Sequence, residues 1–198
     1  RILIATGAAP RQLPFAPNDG KTIVSSYEAL TMPKRPNKMV IVGSGAIGME
    51  FAYFFNAFGT DVTVIEMVDR ILPVEDDDIS KAAKRAFEKQ GIKFLVGHTT
   101  NKIEKKKDGV VVTAVSVADA KATQTLEADV VLVAIGVQGR YDGLFGPGVA
   151  PRIEKGHIWT DYKEKPEPTY QTSVPGIYAI GDVIGPPWLA HVSSEEAV

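Results

Sequence analysis

The chain of 198 residues contains no cysteine. That absence excludes a disulfide framework, a thiolate metal site and a thiol redox centre within these residues. Histidine is scarce too. His98, His157 and His191 are the three present, and their scatter argues against a zinc site. No apolar run approaches the ~20 residues of a membrane span, and no signal peptide is visible. Nor is one sign of charge in excess: 22 Lys and Arg stand against 24 Asp and Glu, a formal net charge of -2. The chain therefore carries no electrostatic footprint for nucleic acid or for an anionic membrane. The run Glu104-Lys105-Lys106-Lys107-Asp108 reads as a solvated turn rather than a binding patch. These absences predict a cytoplasmic protein with no nucleic-acid, membrane or metal partner.

What is present is ordinary for a globular protein, with 44% hydrophobic and 23% charged residues. The length fits one good-sized domain, or one domain with pieces of another. The chain opens directly in the strand-like "RILIAT" without an initiator methionine and stops in "SSEEAV", within a helical pattern. The expectation is an internal piece of a longer polypeptide.

Along the chain, Arg1–Gly7 reads as a buried strand ending in a glycine turn, followed by a Pro- and Gly-rich loop. "SSYEAL" predicts a short helix capped by Ser25 or Ser26. "PKRPNK" is a linker and the first predicted boundary. Lys38–Gly43 reads as a buried strand, Ala46–Phe58 as a helix ended by Gly59, and Asp61–Glu66 as a second strand. "DDDISKAAKRAFEKQG" carries apolar residues at helical spacing and stops at Gly91, before a third strand at Ile92–Gly97. Asp108-Gly109 between two strand-like runs signals a hairpin. Leu126–Gly136 reads as one buried strand. From about Val137 to Val174 the sequence is loop-rich, with a short strand at "GHIWTD". Pro175–Val183 is again a strand meeting a Gly-Asp turn, and "LAHVSSEEAV" predicts a helix start capped by Ser193 or Ser194. The fold class is α/β: a Rossmann-like parallel sheet with helices and a small antiparallel β-meander. Predicted divisions fall at 1–32, 33–140 and 141–198.

Gly43-Ser44-Gly45-Ala46-Ile47-Gly48 is a G-x-G-x-x-G run between a strand and a helix, with an acidic residue, Glu66, ending the next strand. Gly43 permits the tight turn, Gly45 lets backbone approach a pyrophosphate, and Gly48 lets helix and strand pack closely. The helix N-terminus offers N–H groups and positive potential to phosphates. Glu66 favours NAD, because a carboxylate accepts from both ribose hydroxyls and repels a 2′-phosphate. Arg70 is the nearest base. Glu50 has two open readings: a carboxylate placed near a positive helix end, or a neighbour of the nicotinamide.

"VIVGSGAIGMEFAYFFNAFGTDVTVIE" resembles the NAD domain of the dihydrolipoamide dehydrogenases, in the flavoprotein disulfide reductase family. "IATG" (Ile4–Gly7), "VLVAIG" (Val131–Gly136), "IYAIGD" (Ile177–Asp182) and "LAH" (Leu189–His191) match the same family in order and spacing. The resemblance implies an NAD domain inserted into an FAD domain, whose edges are Arg1–Ala8 and roughly residues 173–198. It also implies that the redox cysteine pair, the first FAD fingerprint, the C-terminal dimerisation domain and its His–Glu base lie outside these residues, which leaves no catalytic residue among them. On this resemblance Gly43 to Gly48 cradle the NAD pyrophosphate, Glu66 holds the adenosine ribose and Glu50 lies by the nicotinamide. Gly136 and the backbone around Thr100 line the NAD cleft. Thr6, Gly7, Asp182, Leu189, Ala190 and His191 face FAD. The family pattern departs at Val137–Asp142, which bears on the contacts of that loop and not on the fold, and at Val192-Ser193, where the family has Lys-Ala.

The implied function is the NAD-binding part of an enzyme that oxidises dihydrolipoamide through a disulfide and FAD and passes hydride to NAD. Its implied partners are NAD/NADH, a lipoyl-bearing 2-oxo acid dehydrogenase complex and a second copy in a homodimer. Two other readings are an NADH oxidase or ferredoxin reductase, and a non-enzymatic NAD-binding module.

Overall fold

Unbroken apolar runs make strands that are buried on both faces, and they dominate the centre of this chain. The computed structural model describes residues 1–164 and 166–198. In chain order the strands and helices are β1 (Ile2–Ile4), β2 (Ala8–Pro10), β3 (Ile23–Val24), α1 (Ser26–Leu30), β4 (Lys38–Val42), α2 (Ala46–Ala57), β5 (Asp61–Ile65), α3 (Asp77–Lys89) and β6 (Lys93–Leu95). They continue with β7 (His98–Lys106), β8 (Gly109–Ser116), β9 (Thr123–Ala128), β10 (Val130–Val133), β11 (Val137–Gly139), β12 (Ile153–Glu154), β13 (His157–Ile158), β14 (Ile177–Ala179) and α4 (Ala190–Glu195). Two compact units result: Pro10–Gly136, and Arg1–Ala9 with Val137–Val198.

The unit Pro10–Gly136 is built on a five-stranded parallel sheet of order β3-β10-β4-β5-β6. Met39, Ile41, Val62, Val64 and Leu132 face one side and pack with Met49, Ala52 and Phe55 of α2. Val40, Val42, Ile65, Val131 and Val133 face the other side and pack with Val110, Val112 and Ala114 of the antiparallel sheet β7-β8-β9. The α/β architecture with its antiparallel meander is therefore as read from the sequence. Helix α1 is closed by a capping box in which the Ser25 side chain serves the first turn and the Glu28 carboxylate accepts from the Ser25 amide.

Two expectations are corrected in this unit. Leu126–Gly136 is not one strand: Thr123–Ala128 belongs to the meander and Val130–Val133 to the parallel sheet. The turn between them is at Asp129, whose carboxylate accepts from the Asn37 and Lys38 amides at 2.6 and 3.1 Å. The first compact division lies at Ala9/Pro10 rather than after residue 32, because β3 pairs with β10 and so draws residues 10–32 into the sheet.

In the other unit β1 and β14 pair in parallel, with Ile4 opposite Ala179. Ile4, Ile158, Ile177, Ala179 and Val183 form its core. The "RILIATG" strand is not buried throughout: Ile2 and Leu3 are 60% and 58% exposed, and only Ile4 reaches the core. Neither Ser193 nor Ser194 caps α4. Leu189 holds that position, and the two serine hydroxyls donate back to the Leu189 and Ala190 carbonyls inside the helix.

Candidate functional site at the end of the parallel sheet

The chain leaves β4 through a glycine turn and enters α2. A Cβ at Gly43 would lie 2.4 Å from the Ala134 carbonyl oxygen, and one at Gly48 would lie 2.1 Å from the Gly43 carbonyl oxygen. Those two glycines are required by the chain's own packing. Gly45 is different. Its φ is an ordinary -66° and a Cβ there would meet nothing within 4 Å, so none of the described residues demands glycine. Gly45 is also the N-cap of α2 and supplies no side-chain bond to the first-turn amides. The result is open backbone at the positive end of a twelve-residue helix.

A cleft of about 590 Å³ opens beyond the C-terminal ends of β4, β5 and β10. Ligands of open α/β sheets bind in that position. Gly43, Gly45, Glu66, Thr100 and Gly136 line it, so five of the residues assigned to the nucleotide meet in one place. The walls also include Met67, Pro73 and Val74 from the loop after β5, and His98 and Thr99 from β7. Motif spacing gives no sign of these wall residues, because they reach the cleft through a loop and through the meander. The Thr100 Oγ1 is buried with no hydrogen-bond partner among the described residues.

Ser44 does not face the cleft. It is fully buried, and both its amide and its Oγ donate to Glu66 Oε2 at 2.8 Å. The Val68 amide donates to Glu66 Oε1 at 3.1 Å. Arg70 donates to the Pro73 carbonyl at 3.0 Å and faces Asp77 at 3.7 Å. Ala46 and Ile47 begin α2. Ile47 and Glu50 line a second, apolar cavity of about 650 Å³ with Ala29, Leu30, Phe51, Tyr53 and Phe54. The structure thus brings Glu50 to a different cavity from Glu66.

The residues assigned to FAD lie in the other unit. Because β1 and β14 run in parallel, Thr6-Gly7 and Gly181-Asp182 leave the same end of that sheet, and the Ile180 amide donates to the Ile4 carbonyl at 3.0 Å. Thr6 donates its hydroxyl to the Arg140 carbonyl, and the Gly7 carbonyl accepts from the Arg140 amide. Helix α4 packs on the Gly181 turn, where a Cβ would lie 3.1 Å from the Ser193 Oγ. Leu189, Ala190 and His191 are exposed at its start.

A family model described as pyridine nucleotide-disulphide oxidoreductase matches residues 1–197. The chain belongs to that family. It is 44% identical over 196 residues to the dihydrolipoyl dehydrogenase of Chlorobaculum tepidum, covering 99% of this chain and 40% of that one. It is 42% identical over 197 residues to the dihydrolipoyl dehydrogenase of Rhizobium etli, covering 100% of this chain and 39% of that one. The crystal structure of LpdA from Mycobacterium tuberculosis superposes with a TM-score of 0.83 at 30% identity, over 98% of this chain and 40% of that one. The chain thus spans about two fifths of the length of these curated relatives. No helix among the described residues is long and apolar enough to cross a membrane.

Proposed function

We propose that the chain is the NAD-binding portion of an FAD-dependent dihydrolipoyl dehydrogenase. The observation that carries the reading is Gly45. Its missing side chain is explained by no contact among the described residues, and it leaves bare backbone at a helix N-terminus beside an open cleft. A pyrophosphate needs that combination of close approach, free amides and positive helix end. The donor set fits NAD: Gly45 with the first-turn amides of Ala46, Ile47 and Gly48 would hold the phosphates, and Glu66 would meet the adenosine ribose. Gly136 and Thr100 would line the pocket. The adjoining arginine, Arg70, donates to the Pro73 carbonyl and faces Asp77, contacts that compete with its use against a 2′-phosphate.

A bound NAD would supply a hydride acceptor. This chain would supply position and charge, and exclusion of water by Met67, Pro73 and Val74. Thr6, Gly7, Asp182, Leu189, Ala190 and His191 would serve the flavin of the whole enzyme. The relatives named dihydrolipoyl dehydrogenase support dihydrolipoamide as the substrate; in the whole enzyme a lipoyl-bearing 2-oxo acid dehydrogenase complex would be the partner and a homodimer the assembly. Since these residues contain no cysteine, the chain by itself is expected to bind NADH without oxidising dihydrolipoamide. Fluorescence titration tests the reading. NADH should bind at least roughly tenfold more tightly than NADPH. Equal affinities would remove Glu66 from the ribose site.

A further inference from the structure

We propose that Ser44 is a positioning residue that sets nicotinamide-nucleotide selectivity by holding the Glu66 carboxylate. The inference rests on the assignment of this cleft to NAD. Motif spacing assigns Ser44 to the phosphate cradle, yet the residue is fully buried and both of its donors point to Glu66 Oε2. With the Val68 amide on Oε1, three donors occupy a carboxylate that offers about four acceptor positions. The remaining acceptor position belongs to Oε1, so Glu66 as held here can take one ribose hydroxyl rather than the two expected from the sequence.

The same serine also holds the loop after β5. Its carbonyl accepts from the Leu72 amide at 2.9 Å, and Leu72 sits at the unfavourable φ of 48°. The Leu72 carbonyl in turn accepts from the Ser80 hydroxyl at 3.2 Å. Ser44 therefore ties the glycine turn to Glu66 and to the loop that carries Pro73 and Val74. A glutamate free to change rotamer could swing away from a 2′-phosphate and lower the penalty against NADPH. One held by three donors cannot swing without breaking charge-assisted bonds. Selectivity then depends on Ser44 although its side chain never meets the nucleotide.

The experiment measures NADH and NADPH dissociation constants for the chain and for Ser44→Ala, Ser44→Thr, Glu66→Gln and the double variant Ser44→Ala/Glu66→Gln. Thermal midpoints are recorded alongside. Ser44→Ala should narrow the NADH/NADPH ratio by roughly tenfold, the worth of one hydrogen bond to a charged group. Ser44→Thr, which keeps the hydroxyl, should retain the ratio. In the Glu66→Gln background the alanine should change the ratio no further, because the serine acts through the carboxylate. A Ser44→Ala variant that loses thermal stability but keeps the ratio would overturn the proposal, as would an additive effect in the double variant. If Glu66→Gln itself left the ratio unchanged, the assignment of Glu66 to the ribose would fail instead.

Discussion

Three glycines of one motif hold their places for two different reasons, and substitution can separate them. A methyl at Gly48 would meet the Gly43 carbonyl at 2.1 Å, and that carbonyl is backbone that cannot rotate away. Gly48→Ala should cost about 3 kcal/mol or more and lower the denaturation midpoint sharply. Gly45→Ala places its methyl in open space at an N-cap, where the stability cost stays below about 1 kcal/mol. It should nevertheless weaken NADH binding by roughly tenfold or more, because the methyl occupies the surface a pyrophosphate would use. Paired calorimetric melts and NADH titrations check both, and an unimpaired Gly45→Ala affinity would contradict the phosphate assignment. Asp19 offers a residue-scale test of acid stability. Burial opposes its ionisation, but the Lys105 ammonium, the Thr22 hydroxyl and the Ile23 and Lys21 amides outweigh burial and hold the carboxyl well below its usual 3.8. A carboxyl that stays ionised longer in the folded state stabilises fully above about pH 4, and that contribution fades as the pH falls further. Asp19→Ala should therefore cost on the order of 1–3 kcal/mol near neutrality, and the gap to the parent chain should shrink in urea melts below pH 4.

Elements with strong local signals are the ones that sequence reading locates. Helix α2 runs Ala46–Ala57 with Gly59 at a positive φ of 88°, and α3 runs Asp77–Lys89 with Gly91 at 97°, because periodicity and a glycine stop act together within each helix. The hairpin is legible from Asp108-Gly109, but its turn lies one residue earlier, at Lys107-Asp108, with Gly109 already paired to Lys106 as the first residue of β8. The Leu126–Gly136 run fails as a single strand because its apolar residues serve two sheets, and the division depends on a non-local partner. That partner is the Asn37-Lys38 backbone, some 90 residues earlier, which Asp129 engages. The proposed nucleotide site divides likewise. Gly43, Gly45 and Glu66 follow from spacing, but the Ser44–Glu66 link, the walls from Met67 to Val74 and the buried Thr100 hydroxyl follow from tertiary packing. Asp129→Ala tests the junction. It should cost about 1–2 kcal/mol and speed amide exchange at Asn37 and Lys38, while Asp129→Asn retains an acceptor and most of the stability. NADH affinity should remain unchanged, since Asp129 sits at the start of β4 and β10 and the cleft lies at their far ends.

At the scale of the whole molecule, the two units differ in what holds each of them together. In Pro10–Gly136 a five-stranded parallel sheet is covered by helix on one face and by a three-stranded meander on the other, so Ile41, Val62, Val64, Val131 and Leu132 have no measurable exposure. The unit of Arg1–Ala9 with Val137–Val198 has a parallel pair of three-residue strands, a small core around Ile158 and Val183, and two strand residues, Ile2 and Leu3, left largely in solvent. Two-stranded sheets are marginal unless other layers cover them, and local opening free energies follow buried apolar contact. Amide hydrogen exchange should accordingly separate the units. The amides of β4, β5 and β10 should exchange only through the most costly opening of the chain, with protection approaching the global stability. Those of β1 and β14 should exchange at least roughly a hundredfold faster, a difference of about 2.7 kcal/mol. NADH at saturating concentration should slow exchange in the glycine turn and the first turn of α2, and leave β1 and β14 unchanged, because the cleft is lined by residues of one unit alone. Uniform protection across all five strands would mean that the chain opens as one cooperative body, and the small core around Ile158 would then be held by more than its own contacts.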